Sequence, residues 1–198
     1  MNEFWDNRYS SDDFVYGIEP NEFFKSEIDK LPPGRLLTLA EGEGRNGVYA
    51  ATLGWKVDAV DFSTIAKEKA LRLAQNKDVK INFTVADLEE FHPEPDTYDA
   101  VSMIFMHLNP KLSGIVHHRA VESLKKNGKI IMEVYAKEQL GKNSGGPQNY
   151  DMLYSLEEIE QNFRSLKTEI LTKEFVHLNE SKYHSGEAAV IRYIGKKL

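Results

Sequence analysis

Apolar positions along this chain fall into short continuous runs, separated by segments in which they recur every three or four residues, so strand and helix patterns alternate. Strands are predicted over 35–40, 55–61 and 79–85. A fourth covers 98–105, where YDAVSMIF is the almost unbroken apolar run of a strand covered on both faces. A fifth spans 129–135. Between them the spacing predicts a helix over 46–53, ended by Gly54. Another covers 64–77, capped by Ser63, with Ile65, Ala66, Ala70, Leu73 and Ala74 among its apolar positions. A third, opened by Asn109-Pro110, runs to about 126 and is closed by Asn127-Gly128.

The two ends depart from this alternation. Residues 2–30 carry Phe4, Trp5, Tyr9, Phe14, Tyr16, Phe23 and Phe24 in short helical or irregular pieces, before Pro32, Pro33 and Gly34 punctuate the chain. Residues 136–152 hold Gly141, Gly145, Gly146 and Pro147 and read as a long loop suited to a moving lid. Ser155 and Glu158 form a capping box for a helix to about Phe163. The runs 166–178 and 186–195 have no helix between them and read as a β-hairpin. The expected fold is α/β, a doubly wound seven-stranded sheet, mostly parallel, with helices on both faces and a C-terminal antiparallel hairpin. Residues 1–34 are expected to be an aromatic-rich arm or lid of the same domain as 35–198.

Composition narrows the possible functions. A chain of 198 residues with 41% hydrophobic and 28% charged residues is expected to be one globular domain. A net charge of -6 argues against nucleic acid or an anionic membrane as a standing partner. The absence of cysteine excludes disulfides, thiolate metal sites and a cysteine nucleophile. The polar start MNEFWDNRYSSDD has neither a basic nor an apolar signal region, and no apolar run approaches the ~18–20 residues of a membrane span. A cytoplasmic monomer or homodimer is expected.

The chemistry concentrates in LLTLAEGEGRNG, residues 36–47, followed by VDAVDFS, residues 57–63. A strand, a glycine turn, a helix and a second strand ending in an acid describe a nucleotide-type cofactor site. Gly42 and Gly44 allow a sharp turn and close approach of a ligand. The helix that follows offers free N–H groups. Asp61 can accept hydrogen bonds from two ribose hydroxyls. Gly42, Gly44 and Gly47 spell the dinucleotide fingerprint, so a nicotinamide oxidoreductase is one reading. Three features oppose it: the terminal hairpin, the two acids Glu41 and Glu43, awkward beside a pyrophosphate but tolerable beside a cation, and a second acid, Asp87, which could meet the amino group of adenine.

In order and spacing the chain resembles the class I S-adenosylmethionine-dependent methyltransferases, with a Rossmann-like fold. Segment 36–44 matches that family's first motif, Asp61 its ribose acid, Ala86-Asp87-Leu88 its adenine-contact motif, YDAVSMIF its fourth strand and LKKNGKIIMEVY its fifth. The stretches FWDNRY, YGIEPNEFF and AEGEGRN look more narrowly like the tellurite-resistance-type branch of small bacterial methyltransferases. Two positions depart from the pattern. Thr38 stands where the family often has an acid and Ala40 where it often has glycine, so Glu41 and Glu43 are expected to supply the missing charge.

The resemblance implies S-adenosyl-L-methionine as cofactor and a small-molecule methyl acceptor. Ala40, Glu41, Gly42, Glu43, Gly44, Asn46, Asp61, Phe62, Ser63, Asp87 and Leu88 are the expected cofactor residues. Tyr16, with Trp5, is expected in a lid, and Arg8 on the methionine carboxylate. His107 follows strand four at the carboxyl edge and is the first candidate for a catalytic base. His184 lies in the final hairpin loop, where a role at the cleft is the less favoured reading. His117 and His118 are adjacent in a helix and point to different faces, so no metal site is expected. Methyl transfer is an in-line displacement at a sulfonium, in which positioning carries most of the catalysis. The acceptor cavity is expected between the arm, the residues after strand four and loop 136–152. A non-catalytic cofactor-binding module is the third reading.

Overall fold

A computed structural model describes residues 2–198, with side chains described from Phe4 onward. The strands are β1 (Arg35–Leu39), β2 (Lys56–Asp61), β3 (Asn82–Val85), β4 (Tyr98–Ile104), β5 (Leu124–Tyr135), β6 (Lys167–Ser181) and β7 (His184–Lys196). They form one sheet in the order β3-β2-β1-β4-β5-β7-β6. All pairings are parallel up to β5; β7 then pairs antiparallel with both β5 and β6.

Consecutive strand residues feed opposite cores, as the two-residue period of a strand requires. Leu36, Ala100 and Ile131 face α2 (Glu22–Ile28), α3 (Arg45–Thr52) and α4 (Thr64–Asn76), where Phe24, Val48 and Ala70 pack on them. Leu37, Val101 and Ile130 face α5 (Pro110–Ser123) and α6 (Leu156–Asn162), where Val116, Ala120 and Ile159 complete the other core. The remaining helix, α1 (Asn2–Tyr9), opens the N-terminal arm.

Three expectations need correction. Helix α5 stops at Ser123 rather than near 126, because Leu124 already pairs with Tyr98 and the Asn127 N–H donates to Lys197 O at 2.8 Å. Asn127, at φ 67°, and Gly128 therefore form an irregularity at the start of β5 instead of a helix stop. Tertiary pairing wins over the local turn signal.

The hairpin is longer than its apolar runs suggested, joined by the two-residue turn Lys182-Tyr183. Tyr135 at the end of β5 pairs with Val190, so the part of β7 before Val190 projects past the carboxyl end of the parallel strands. That projection carries the hairpin tip over the ligand-binding edge.

The loop 136–152 is stitched to β7 rather than built as a lid. Buried Gln139 donates to Ser144 Oγ and Gly145 O, both at 2.9 Å, and accepts from the Ala189 N–H at 2.9 Å. Ser144 Oγ donates to Glu187 O at 2.6 Å.

Candidate functional site

The carboxyl ends of β1, β2 and β4, the arm and the hairpin tip enclose a cavity of about 220 Å³. Its floor is the turn after β1. Ala40 has φ 52°, Gly42 φ 63° and Gly44 φ 93°, so the chain enters left-handed backbone three times within five residues. Only glycine does so without a steric cost of roughly 1–2 kcal/mol. At Ala40 that cost is borne by an alanine.

Gly44 caps α3 but has no side chain to accept from the helix's free amides. Glu41 does so instead: its Oε1 accepts the Gly47 N–H at 2.6 Å, a carboxylate at a helix N-terminus. Burial pushes the Glu41 carboxyl up to about 7, against the pull of that amide. Thr38, where an acid was expected from the family pattern, is fully buried, and its Oγ1 has no hydrogen-bond partner among the described residues.

Asp61 ends β2 with both carboxylate oxygens fixed. Oδ2 accepts from the Gly42 N–H at 2.9 Å and Oδ1 from the Ser63 N–H at 3.0 Å. Burial raises its pKa, and the amides oppose that shift. The group is therefore oriented by backbone at the cavity wall, with acceptor capacity left for a diol. Phe62 lies beside it, and Asp87 and Leu88 line the same cavity, with Asp87 exposed and closing an Asx turn onto the Glu89 N–H at 2.9 Å.

The arm roofs the cavity with Trp5, Tyr9 and Tyr16. Its α2 end is fixed in the core by Phe23, Phe24 and Ile28, and the part before α2 is held largely by polar ties. Ser63 Oγ donates to Asp6 at 2.6 Å, the Tyr16 N–H to Glu43 Oε2 at 3.2 Å, and the Asn21 N–H to Asn46 Oδ1 at 2.9 Å. Buried Lys69 pairs with Glu43 at 2.5 Å and donates to Tyr9 O at 3.1 Å and Asp13 O at 2.6 Å.

The cavity thus gathers Ala40, Glu41, Gly42, Glu43, Asn46, Asp61, Phe62, Asp87, Leu88, Tyr16, Trp5, His107 and His184 from the sequence reading. Three expected residues lie elsewhere. Ser63 caps α4 through the Ala66 N–H and anchors the arm. At Gly44 an added Cβ would stand 2.7 Å from Ala70 Cβ, so this glycine serves the α3–α4 contact. Arg8 stacks over Tyr183 at 4.0 Å, outside the cavity.

His107 lines the cavity but is fully committed. Nδ1 donates to Met152 O at 2.8 Å, and Nε2 accepts the Tyr135 N–H at 3.2 Å. Burial pushes its pKa down to about 4. A neutral ring with no free lone pair holds the β4, β5 and 150–152 segments together and has no capacity to act as a base. Loop 136–152 contributes no lining residue; the hairpin tip takes its place. His117 is buried and contacts Asn162 at 3.0 Å, whereas His118 is exposed beside Glu122, so the two do point to different faces.

Sequence reasoning missed Arg45, Phe105 and Tyr9. Arg45 is the first residue of α3, where a cation opposes the helix dipole; that misplacement was a legible signal. Its Nη2 donates to Glu180 at 2.9 Å, while Nη1 is buried without a partner at the cavity wall. An anionic group would satisfy it. Phe105, at φ 52°, turns into the cavity just after β4; no signal in the sequence marked it.

Residues 36–128 match the family model described as a methyltransferase domain. No curated protein matches the sequence. Among solved structures, TehB from Haemophilus influenzae aligns over 100% of this chain and 67% of its own, with a TM-score of 0.73 at 13% identity. The N-methyltransferase NodS from Bradyrhizobium japonicum WM9, in complex with S-adenosyl-L-homocysteine, aligns over 99% and 97% with a TM-score of 0.72 at 10% identity. The [4+2]-cyclase SpnF aligns over 99% and 94% with a TM-score of 0.73 at 12% identity. At these identities the likeness is one of fold. The chain therefore carries a methyltransferase-domain signature over residues 36–128, on the seven-stranded sheet of the class I methyltransferase fold.

Proposed function

We propose that this chain is an S-adenosylmethionine-dependent methyltransferase acting on a small-molecule acceptor by in-line methyl transfer. The observation that carries this reading is the shared cavity. It is lined by an amide-oriented acid at the end of β2, by the aromatic rings of the arm and by a buried cation with an unpartnered nitrogen. When bound, the cofactor supplies an activated methyl on a sulfonium; the protein's task is to position it and exclude water. Asp61 holds the ribose, Asp87 and Leu88 the adenine. Arg45 takes the methionine carboxylate in place of Arg8. Gly42 lets the backbone approach, and the ring faces of the roof suit the cation. A cavity of about 220 Å³ lies below the roughly 300–1,000 Å³ typical of sites that enclose a ligand, so the part of the arm before α2, which carries Trp5, Tyr9 and Tyr16, acts as a lid that yields on entry.

The acidic floor and the antiparallel β7 speak against a dinucleotide. The net charge of -6 favours a small acceptor over nucleic acid. No helix among the described residues is long and apolar enough to cross a membrane. Likeness to TehB and the motifs FWDNRY and AEGEGRN favour the tellurite-resistance-type branch. A cyclase on the same fold shows that fold does not decide chemistry, so turnover must be measured.

Calorimetry with S-adenosylhomocysteine and NADH tests the cofactor: the first should bind and the second should not. Asp61→Ala should weaken S-adenosylhomocysteine binding at least ~10-fold, about 1.4 kcal/mol, with the fold intact by circular dichroism. An unchanged Kd removes Asp61 from the site. NADH binding without S-adenosylhomocysteine binding overturns the reading.

A further inference from the structure

Most titratable groups at the cavity are already engaged. Glu41 is on the Gly47 amide, Glu43 on Lys69, Asp61 on two amides and His107 on both ring nitrogens. His184 differs. It starts β7 and is largely buried, and its ring lies 4.5 Å from that of Phe105 and 4.8 Å from that of Tyr16. Its Nδ1 meets Glu180 Oε2 at 3.2 Å, and no hydrogen bond engages Nε2 among the described residues. The same Glu180 accepts from Arg45 Nη2 at 2.9 Å and, through Oε1, from Asn21 Nδ2 at 2.8 Å.

An ionised Glu180 fixes the His184 tautomer: Nδ1 carries the hydrogen and Nε2 keeps its lone pair. Burial would raise the Glu180 pKa, but His184 and Arg45 outweigh it and hold the carboxyl down near 2. The other titratable or charged groups around His184 are Tyr16 and Arg8 from the arm, Tyr183 from the turn, Tyr135 from β5, and His107 after β4. Burial, Arg45 and Arg8 lower the His184 pKa against the pull of Glu180, so the ring stands neutral at pH 7.

We propose that His184 Nε2, oriented by Glu180, is the proton acceptor of this site, and that the chain methylates small molecules arriving with an unionised S–H or O–H. This rests on the methyltransferase reading above. In the transfer the acceptor's sulfur or oxygen forms a bond to the methyl carbon while the carbon–sulfonium bond breaks, its electron pair remaining on sulfur. The proton of the S–H or O–H passes to Nε2. The resulting imidazolium is balanced by Glu180 and releases its proton to water after the products leave.

The test uses the full chain, S-adenosylmethionine and two acceptor pairs: an alkanethiol with 4-nitrothiophenol, and 4-methylphenol with 4-nitrophenol. The second member of each pair is the stronger acid and is largely ionised at pH 8. His184→Gln should slow methylation of the protonated member at least ~100-fold, within the range of general-base catalysis, and of the ionised member no more than ~3-fold. Its S-adenosylhomocysteine affinity should stay within ~2-fold. Equal loss for both members makes His184 structural and overturns the proposal, as does a parent enzyme that binds S-adenosylhomocysteine yet methylates none of the four. Failure to bind S-adenosylhomocysteine at all sinks the methyltransferase reading instead. Imidazole ¹⁵N NMR of the unliganded protein gives a readout independent of activity. It should show His184 protonated at Nδ1, with a pKa that falls in Glu180→Gln; an Nε2-protonated ring, or one insensitive to Glu180, refutes the dyad.

Discussion

The two halves of the cavity are built by different means. The β1–β2 side is made largely of backbone and comes from one stretch: β1, the turn 40–44, α3 and β2 supply amides, left-handed residues and the three acids Glu41, Glu43 and Asp61 within 36–63. The other side is made of side chains from distant segments, with Tyr16, Phe105 and His184 meeting ring to ring and Tyr135 stacked behind Phe105. Amides and turn geometry persist when a neighbouring surface side chain changes, whereas an aromatic wall changes with each ring replaced.

The comparison breaks first where backbone geometry leaves no room. Gly44→Ala should destabilise the fold by about 3 kcal/mol, from overpacking of Ala70 and left-handed strain together, read as a lower denaturation midpoint. A neutral result shows that the turn yields.

Next, the two halves should respond to pH with opposite sign. Glu41 is raised from 4.5 to about 7, so its folded-state contribution is full below pH 4.5 and is lost as pH rises through 7. His107 is lowered from 6.5 to about 4, so its contribution is full above pH 6.5 and is lost as pH falls through 4. Measured against the parent by urea unfolding, Glu41→Gln should gain about 2–3 kcal/mol between pH 4.5 and 7, and His107→Gln a similar amount between pH 6.5 and 4. Parallel curves in either case contradict the stated burial.

The smallest effect belongs to Ala40→Gly. Relief of left-handed strain and the greater freedom of glycine in the unfolded chain nearly cancel, so stability should move by less than about 1 kcal/mol. A larger gain would mean that the alanine stores real strain beneath the cofactor.

Legibility followed the same division. The alternation of strands and helices, the Ser63 cap and the capping box at Ser155 and Glu158 were readable because each signal lies within a few residues of its partner. His107 was misjudged because its partners, Met152 O and the Tyr135 N–H, are far along the chain and invisible to local pattern. Arg8 and Arg45 illustrate the same limit. Both are arginines beside glycines or aromatics, and only folding shows one stacked outside on Tyr183 and the other buried at the wall. Loop 136–152 looked mobile from its glycines, yet Gln139, an unremarked polar residue, fastens it.

Lys69 carries one further consequence. Its ammonium has three hydrogens and three partners: Glu43 and the carbonyls of Tyr9 and Asp13. Two of those partners belong to the arm. Detaching the arm strands a buried charge with a single neighbour until water reaches it, a state far above a frayed end in free energy. The roof is therefore a latch with two positions, not a curtain that drifts, and its amides should exchange hydrogen together, in one cooperative opening.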